Sequence, residues 1–371
     1  MIKENLKYQI AITLIPGVGD VLAKNLISYC GSAEAVFKEK KSKLEKIPDI
    51  GSVRAEAVLQ NSDDALKRAE KEVEFIEKYK ITPLFFTDKN YPTRLKNCDD
   101  APVMLYYKGN AHLNESKIIS IVGTREATEY GKSICKKLIE DLTKHNVIIV
   151  SGLAYGIDIT AHKAALKNNL QTIGVLAHGL DRLYPSIHKS TAEKMIKQGG
   201  LLTEFLSKTN PDAENFPSRN RIVAGMSDAV IVVESGKKGG ALITAEIANS
   251  YNRDVFAVPG KVGDVYSQGC NRLIKSNKAV LIESAADIEY VMGWEEKTTN
   301  GEKKNNQKKL FIELKPEEKI LVDLLNENQP LDIDTLCFRS KFTMSKAASV
   351  LLNLEFSGIV KSLPGKIYQL N

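Results

Sequence analysis

The 371-residue sequence predicts an α/β protein: a doubly wound parallel sheet at the centre, a helical segment before it and a winged-helix segment after it. Three observations carry this reading. Between residues 81 and 294, short apolar runs alternate with amphipathic stretches, the pattern of strands covered on both faces by crossover helices. Residues 1–80 show helical spacing and no strand pattern. Residues 310–371 show three helical stretches followed by a pair of short apolar runs around Pro364-Gly365, the order of a winged helix. EEKTTNGEKKNNQKK, residues 295–309, has no large apolar side chain and reads as a linker.

The elements follow in order. In the helical segment, LIPGVGDVLAKNLI (residues 14–27) and KIPDIGSVRAEAVL (46–59) each place Ile-Pro and a glycine turn before an apolar helix. The first fits a helix-hairpin-helix turn, with Gly17 and Gly19 freeing backbone amides toward an anion at the next helix start. The second keeps only Gly51, with Asp49 where the first has Gly17. The pair suits a helix-hairpin-helix (SAM-like) domain, whose turns either meet DNA or only pack helices; charge in this segment is close to balanced. Strands are expected at 117–122, 147–151, 172–177, 201–205, 229–234, 255–258 and 279–282, with helices at 130–144, 159–167, 189–198, 240–251 and 285–292. This is a Rossmann-like layout, whose ligand site lies beyond the carboxyl ends of the strands. The last segment should carry helices at 317–326, 334–339 and 345–357 and strands at 360–363 and 367–370. It is marginally acidic, so charge does not support a grip on duplex DNA.

Composition narrows the class. With 43% hydrophobic and 26% charged residues, the chain is neither disordered, collagen-like nor a small disulfide scaffold. A net charge of +6 permits a polyanionic partner without demanding one. The five cysteines lie far apart with no CxxC, which suggests reduced thiols and no metal site. No stretch is apolar enough for a membrane span, and Glu4, Asn5 and Gln9 stand where a secretory signal needs an apolar run, so the expected location is cytoplasmic.

Candidate chemistry lies at the strand ends. IVGTREATEYGKS (121–133) offers Gly123 and Thr124 at a strand-to-helix turn and Arg125 as a planar cation for phosphate. It is neither a Walker loop, since Glu126 stands where the first glycine belongs, nor a GxGxxG fingerprint, so no nucleotide cofactor is expected. In SGLAYGIDITAHKAAL (151–166), Asp158 and His162 share a helix face, as an acid/base or metal pair or as a cap with a hydrogen-bonded histidine. In NFPSRNRIVAGM (215–226), Phe216 precedes Arg219, Asn220 and Arg221, joining an aromatic face for a base to cations for a backbone. The structural alternative puts Phe216 in the core and an arginine in an ion pair. Gly239 and Gly240 open a further helix and make a second anion site.

VGTREATEYG, SGLAYGIDITAHKAAL, GVLAHGLDRLYP, FPSRNRIVAGMSDAVIVVESG, GGALITAEIA, FAVPG and GCNRLI, in this order and spacing, resemble the DNA-processing protein A (DprA/Smf) family of bacterial natural-transformation factors. The resemblance covers residues 81–292, with YPTRLKNCDDAPVMLYYKGN just inside its start, and the two flanking segments match the family's three-domain arrangement. It implies a homodimer without enzymatic activity that binds and protects single-stranded DNA. It also implies help in loading RecA recombinase in place of single-strand-binding protein. Carried over by motif, Gly123, Thr124 and Arg125 would hold phosphate beside Phe216, Arg219 and Arg221. Some members place a lysine shortly before the phenylalanine; here Asp212, Ala213, Glu214 and Asn215 fill that stretch and the nearest lysine is Lys208. The rival class is an enzyme, a nucleoside-monophosphate phosphoribohydrolase of the lysine-decarboxylase-like (LOG) family, which uses a PGGxGTxxE loop. GGALITAE keeps Gly239, Gly240 and Glu246 but has Leu242 and Ile243 in place of the inner glycine and threonine.

Overall fold

The computed structural model describes residues 2–294, 314–327, 330–363 and 366–370. They form two compact units, Met1–Glu296 and Lys297–Asn371. The linker expected at 295–309 lies outside the described residues.

The first unit is built on a nine-stranded sheet. Its strands are β1 (Thr82–Phe85), β2 (Met104–Gly109), β3 (Ile118–Val122), β4 (Ile148–Ser151), β5 (Thr172–Val175), β6 (Gly199–Thr203), β7 (Ala229–Val232), β8 (Asp254–Ala257) and β9 (Val280–Leu281). Their order is β1-β2-β6-β5-β4-β3-β7-β8-β9. Pairing is parallel from β6 to β9 and antiparallel where β1 meets β2 and β2 meets β6. The seven parallel strands are those expected from the sequence, within a few residues. The antiparallel pair was not anticipated, and Pro83 is tolerated in β1 because β1 is the sheet edge.

Alternation within β3 explains the two layers. All five of its residues are buried. Ile118 and Val122 join a cluster with Ile222, Val223 and Ala245, from helices Asn215–Gly225 and Gly240–Ser250. Ile119 and Ile121 join the opposite cluster with Leu138, Ile139 and Ala161, from helices Glu129–Asp141 and Ile157–Lys167. Burying each such side chain contributes roughly 1.5–3 kcal/mol, so both faces are strongly specified. The one polar residue of β3, Ser120, donates to the Val223 carbonyl at 2.7 Å and pins helix Asn215–Gly225 to the sheet.

The helical segment packs on the antiparallel edge. Its 29-residue helix Gly51–Tyr79 buries Val58, Ala65, Ala69, Val73 and Ile76 at helical spacing. These meet Ile10, Leu26 and Val36 of earlier helices, and the same cluster takes in Phe85, Met104 and Tyr106 of β1 and β2. The segment therefore shares a core with the sheet. In the second unit, helices Pro316–Glu327, Ile333–Ser340 and Met344–Phe356 enclose Leu321, Leu325, Leu336, Leu351 and Leu354. Side chains of Asp332 and Thr343 cap the second and third helices. Strands β10 (Leu331–Asp332), β11 (Val360–Leu363) and β12 (Ile367–Leu370) form a small sheet of order β10-β12-β11, of which β11 and β12 start and end where the sequence placed them.

Candidate nucleic-acid interface

The strand order reverses at β3, with β4 on one side and β7 on the other, and a crevice opens beyond the carboxyl ends of strands at such a point. A cleft of about 360 Å³ lies there, lined by the segments that follow β3, β4 and β7 and by the starts of helices Asn215–Gly225 and Gly240–Ser250. Eight expected residues meet in it: Gly123, Thr124, Arg125, Phe216, Arg219, Asn220, Gly239 and Gly240.

Phe216 is the centre of the group. The Arg125 guanidinium lies 5.2 Å from its ring centroid and that of Arg219 lies 6.0 Å from it. Tyr184, half exposed on the rim, brings its ring to 6.4 Å. The two arginines differ in setting. Arg125 is exposed, whereas Arg219 is 6% exposed and donates to Asn220 Oδ1 and the Val175 carbonyl. Asn220 in turn donates to the Gly240 carbonyl at 3.3 Å and so couples the two helix starts. Buried Asp158 lies beside Arg219, and both fill the space where a Cβ on Gly152 would stand. Burial pushes the Asp158 carboxyl above its usual range against the pull of Arg219.

Backbone donors are distributed differently from the expectation. The Thr124 amide donates to the Glu234 carbonyl at 2.8 Å, and the Thr124 hydroxyl accepts from the Glu126 amide at 3.2 Å. The turn after β3 thus spends that amide internally. By contrast, helix Gly240–Ser250 begins without a side-chain cap; its Leu242 and Ile243 amides donate to the Gly239 carbonyl, while those of Gly240 and Ala241 have no intrahelical acceptor. Gly240 is open here: an added Cβ would find no atom closer than 3.6 Å.

Arg221 does not join the cleft. It pairs with Asp20 Oδ2 at 3.0 Å and with Glu204, and donates to the Asp100 carbonyl. Asp20 opens the helix after the first hairpin turn and also accepts from the Val103 amide at 2.8 Å. The placement of Arg221 beside the phosphate-holding residues is thereby corrected: it is a strut between the helical segment and the sheet. Asp158 and His162 form no reactive pair, because His162 Nε2 donates to the Gly152 carbonyl and Nδ1 lies 2.7 Å from Thr172 Oγ1. Burial holds the His162 imidazole down at about 4, so it is neutral. No group of three His, Cys, Asp or Glu residues suited to a metal occurs among the described residues. Glu246, the residue a hydrolase would use, is exposed on its helix and pairs with Lys278 at 3.4 Å, outside the cleft lining.

The sequence reading missed Lys238, an exposed cation that lines the same cleft as Arg125, in the run SGKKGG after β7. Lys208 is not part of the lining. A lysine between a strand end and a double glycine was the available signal.

The model of the DNA recombination-mediator protein A family matches residues 82–292, and that of its winged-helix domain matches residues 312–366. The chain belongs to the DNA recombination-mediator protein A family. It is 32% identical to protein Smf of Synechocystis over 98% of both chains. The crystal structure of DNA processing protein A from Streptococcus pneumoniae is similar with a TM-score of 0.65 and 33% identity, over 76% of this chain and 97% of that one. DNA processing protein A from Helicobacter pylori, described for its single-stranded DNA binding mode, is similar with a TM-score of 0.53 and 29% identity, over 58% and 96%. As in the family's solved structures, the core is Rossmann-like, and the phosphoribohydrolase alternative is not favoured. No described helix is long and apolar enough to cross a membrane.

Proposed function

We propose that the cleft binds single-stranded DNA, in a protein that serves transformation or recombination by protecting the incoming strand and passing it to RecA recombinase. The observation that carries this reading is the contact of exposed Arg125 with Phe216 at an open rim, beside the uncapped start of helix Gly240–Ser250. An unpaired base has a free face to stack on Phe216 or Tyr184, while Arg125, Lys238 and the helix start meet the phosphates. A duplex hides those faces in its own stack. Buried Arg219 and Asn220 hold the platform in place. Binding rather than bond-breaking fits the side chains present, since Asp158 and His162 are buried in internal contacts and Glu234 is spent capping the helix at Thr128. Self-association is part of the proposal: strand β9 and the helix after it leave Val280, Leu281, Tyr290 and Val291 exposed along the sheet edge, as a homodimer contact would need.

Fluorescence-anisotropy titration of one labelled sequence as single strand and as duplex, at two salt concentrations, tests the reading. Tighter, salt-sensitive binding of the single strand is expected. Equal binding of both forms, or none at low salt, would overturn it.

A further inference from the structure

We infer that a strand leaving the cleft continues along a second groove, between helices Ile157–Lys167 and Lys189–Lys197, with its phosphates on Lys163, Lys167, Lys194 and Lys197. This deepens the single-strand reading and rests on it. The groove encloses about 770 Å³ and all four lysines line it. Lys163 and Lys167 stand one turn apart on the first helix, and Ser190, Lys194 and Lys197 share a face of the second. All four are exposed, and none has a carboxylate within 4.0 Å among the described residues. Glu193, the one acid of helix Lys189–Lys197, is not in the lining. Four unpaired cations facing one channel repel one another, and a row of phosphates relieves that repulsion.

A side pocket lined by Arg125, Phe216, Tyr184 and Tyr155 shares Arg125 and Phe216 with the cleft, and its Tyr155 and Pro185 lie just ahead of the two helices that flank the groove. Tyr155 is 47% exposed just ahead of the first helix, and its ring lies 5.1 Å from His188, at the junction to the second. Ile187, 74% exposed, then marks the groove mouth. The route from Phe216 through Tyr184 and Tyr155 to the lysines thus offers stacking faces first and cations after, as a single strand requires. From Tyr155 to Lys167 a helical rise of 1.5 Å per residue gives roughly 18 Å, the reach of about five stacked nucleotides. A duplex is too wide to bring its bases to the tyrosines and its backbone to the groove.

The test compares the parent with the quadruple variant K163Q/K167Q/K194Q/K197Q, using oligothymidylates of six and twenty nucleotides between 50 and 200 mM salt. The hexamer places its first nucleotides in the cleft and reaches the groove with only a few phosphates, so its salt slope should change much less than that of the 20-mer. For the 20-mer, losing four phosphate contacts should lower the salt slope by about 3, so the parent's affinity falls about fiftyfold more across this range than the variant's. Should the melting temperature of the variant fall, the pairs K163Q/K167Q and K194Q/K197Q are each expected to remove half of the slope. Unchanged 20-mer binding overturns the groove, and loss of poly-glutamate binding by the same variant would then reassign it to an acidic protein segment. Equal losses for hexamer and 20-mer overturn it in favour of a general charge effect. A parent that binds neither oligomer overturns the single-strand reading itself.

Discussion

Arg125 and Phe216, one after the central strand and the other at a helix start on the opposite side of the switch point, meet with 5.2 Å between guanidinium and ring centroid. Their contact fixes where a base and its phosphate would both be received, and it separates two kinds of energy that substitution can resolve.

Replacing Phe216 with alanine removes stacking, so single-strand affinity should fall by about 1–3 kcal/mol with the salt slope unchanged. Lys238→Ala should do the converse, lowering the slope by about 0.7 while leaving most of the affinity at high salt. Titrations at several salt concentrations distinguish them, and matching slopes for the parent and Lys238→Ala would remove Lys238 from the interface.

Arg125→Ala should weaken single-strand binding at least tenfold while shifting stability by no more than about 0.5 kcal/mol, because the side chain is exposed. Arg125→Lys should restore only part of the affinity, since an ammonium lacks the planar face that stacks on Phe216. Binding isotherms paired with thermal melts give both numbers. Parent-like affinity in the alanine variant would show that the pocket is misplaced.

Two glycines of the cleft should respond oppositely. Gly240→Ala meets no protein atom closer than 3.6 Å and lies at a helix start, so the melting temperature should hold while a methyl group enters the ligand's space and affinity drops. Gly152→Ala drives a methyl into Arg219 and Asp158 and should cost about 1–3 kcal/mol of stability.

Glu204 and His162 set opposite pH slopes. Burial raises the Glu204 carboxyl to about 7, against Arg221 and with Asp20 and Asp100 nearby, so it remains protonated in the fold at pH values where the unfolded chain has lost the proton. That contribution therefore weakens stability as pH rises from about 4.5 to 7. The His162 imidazole is depressed to about 4 by burial, so its contribution is present above about 6.5 and is lost as pH falls toward 4. Between pH 4.5 and 6.5 the two offset each other. Denaturant melts should show stability rising with pH in Glu204→Gln and falling with pH in His162→Asn, and identical slopes in all three proteins would exclude both assignments.

The parallel strands were legible because each is a short apolar run with a helix on either side, and the fully buried residues of β3 illustrate it. The antiparallel strands β1 and β2 were not: Pro83 argues against a strand, and the YPTRLKNCDD stretch between them carries no hairpin signal. In the cleft, residue types identified the neighbourhood but not the facing. Arg219 and Arg221 are two residues apart on one helix, hence on different faces, and only tertiary packing sends the first to Phe216 and the second to Asp20 and Glu204. The partners of Arg221 come from three separate stretches of chain, which no local pattern announces.

The strand order β4-β3-β7 also sets when, during synthesis, the cleft can come into being. Arg125 leaves the ribosome with the early half of the sheet, whereas the helix that begins at Gly240 belongs to the late half. A nascent chain that has not yet emerged past Ser250 has the arginine and the phenylalanine but lacks the complete helix whose open end completes the cleft. Unfinished or prematurely terminated copies therefore present only part of the cleft lining, and the complete cleft arrives as one late event.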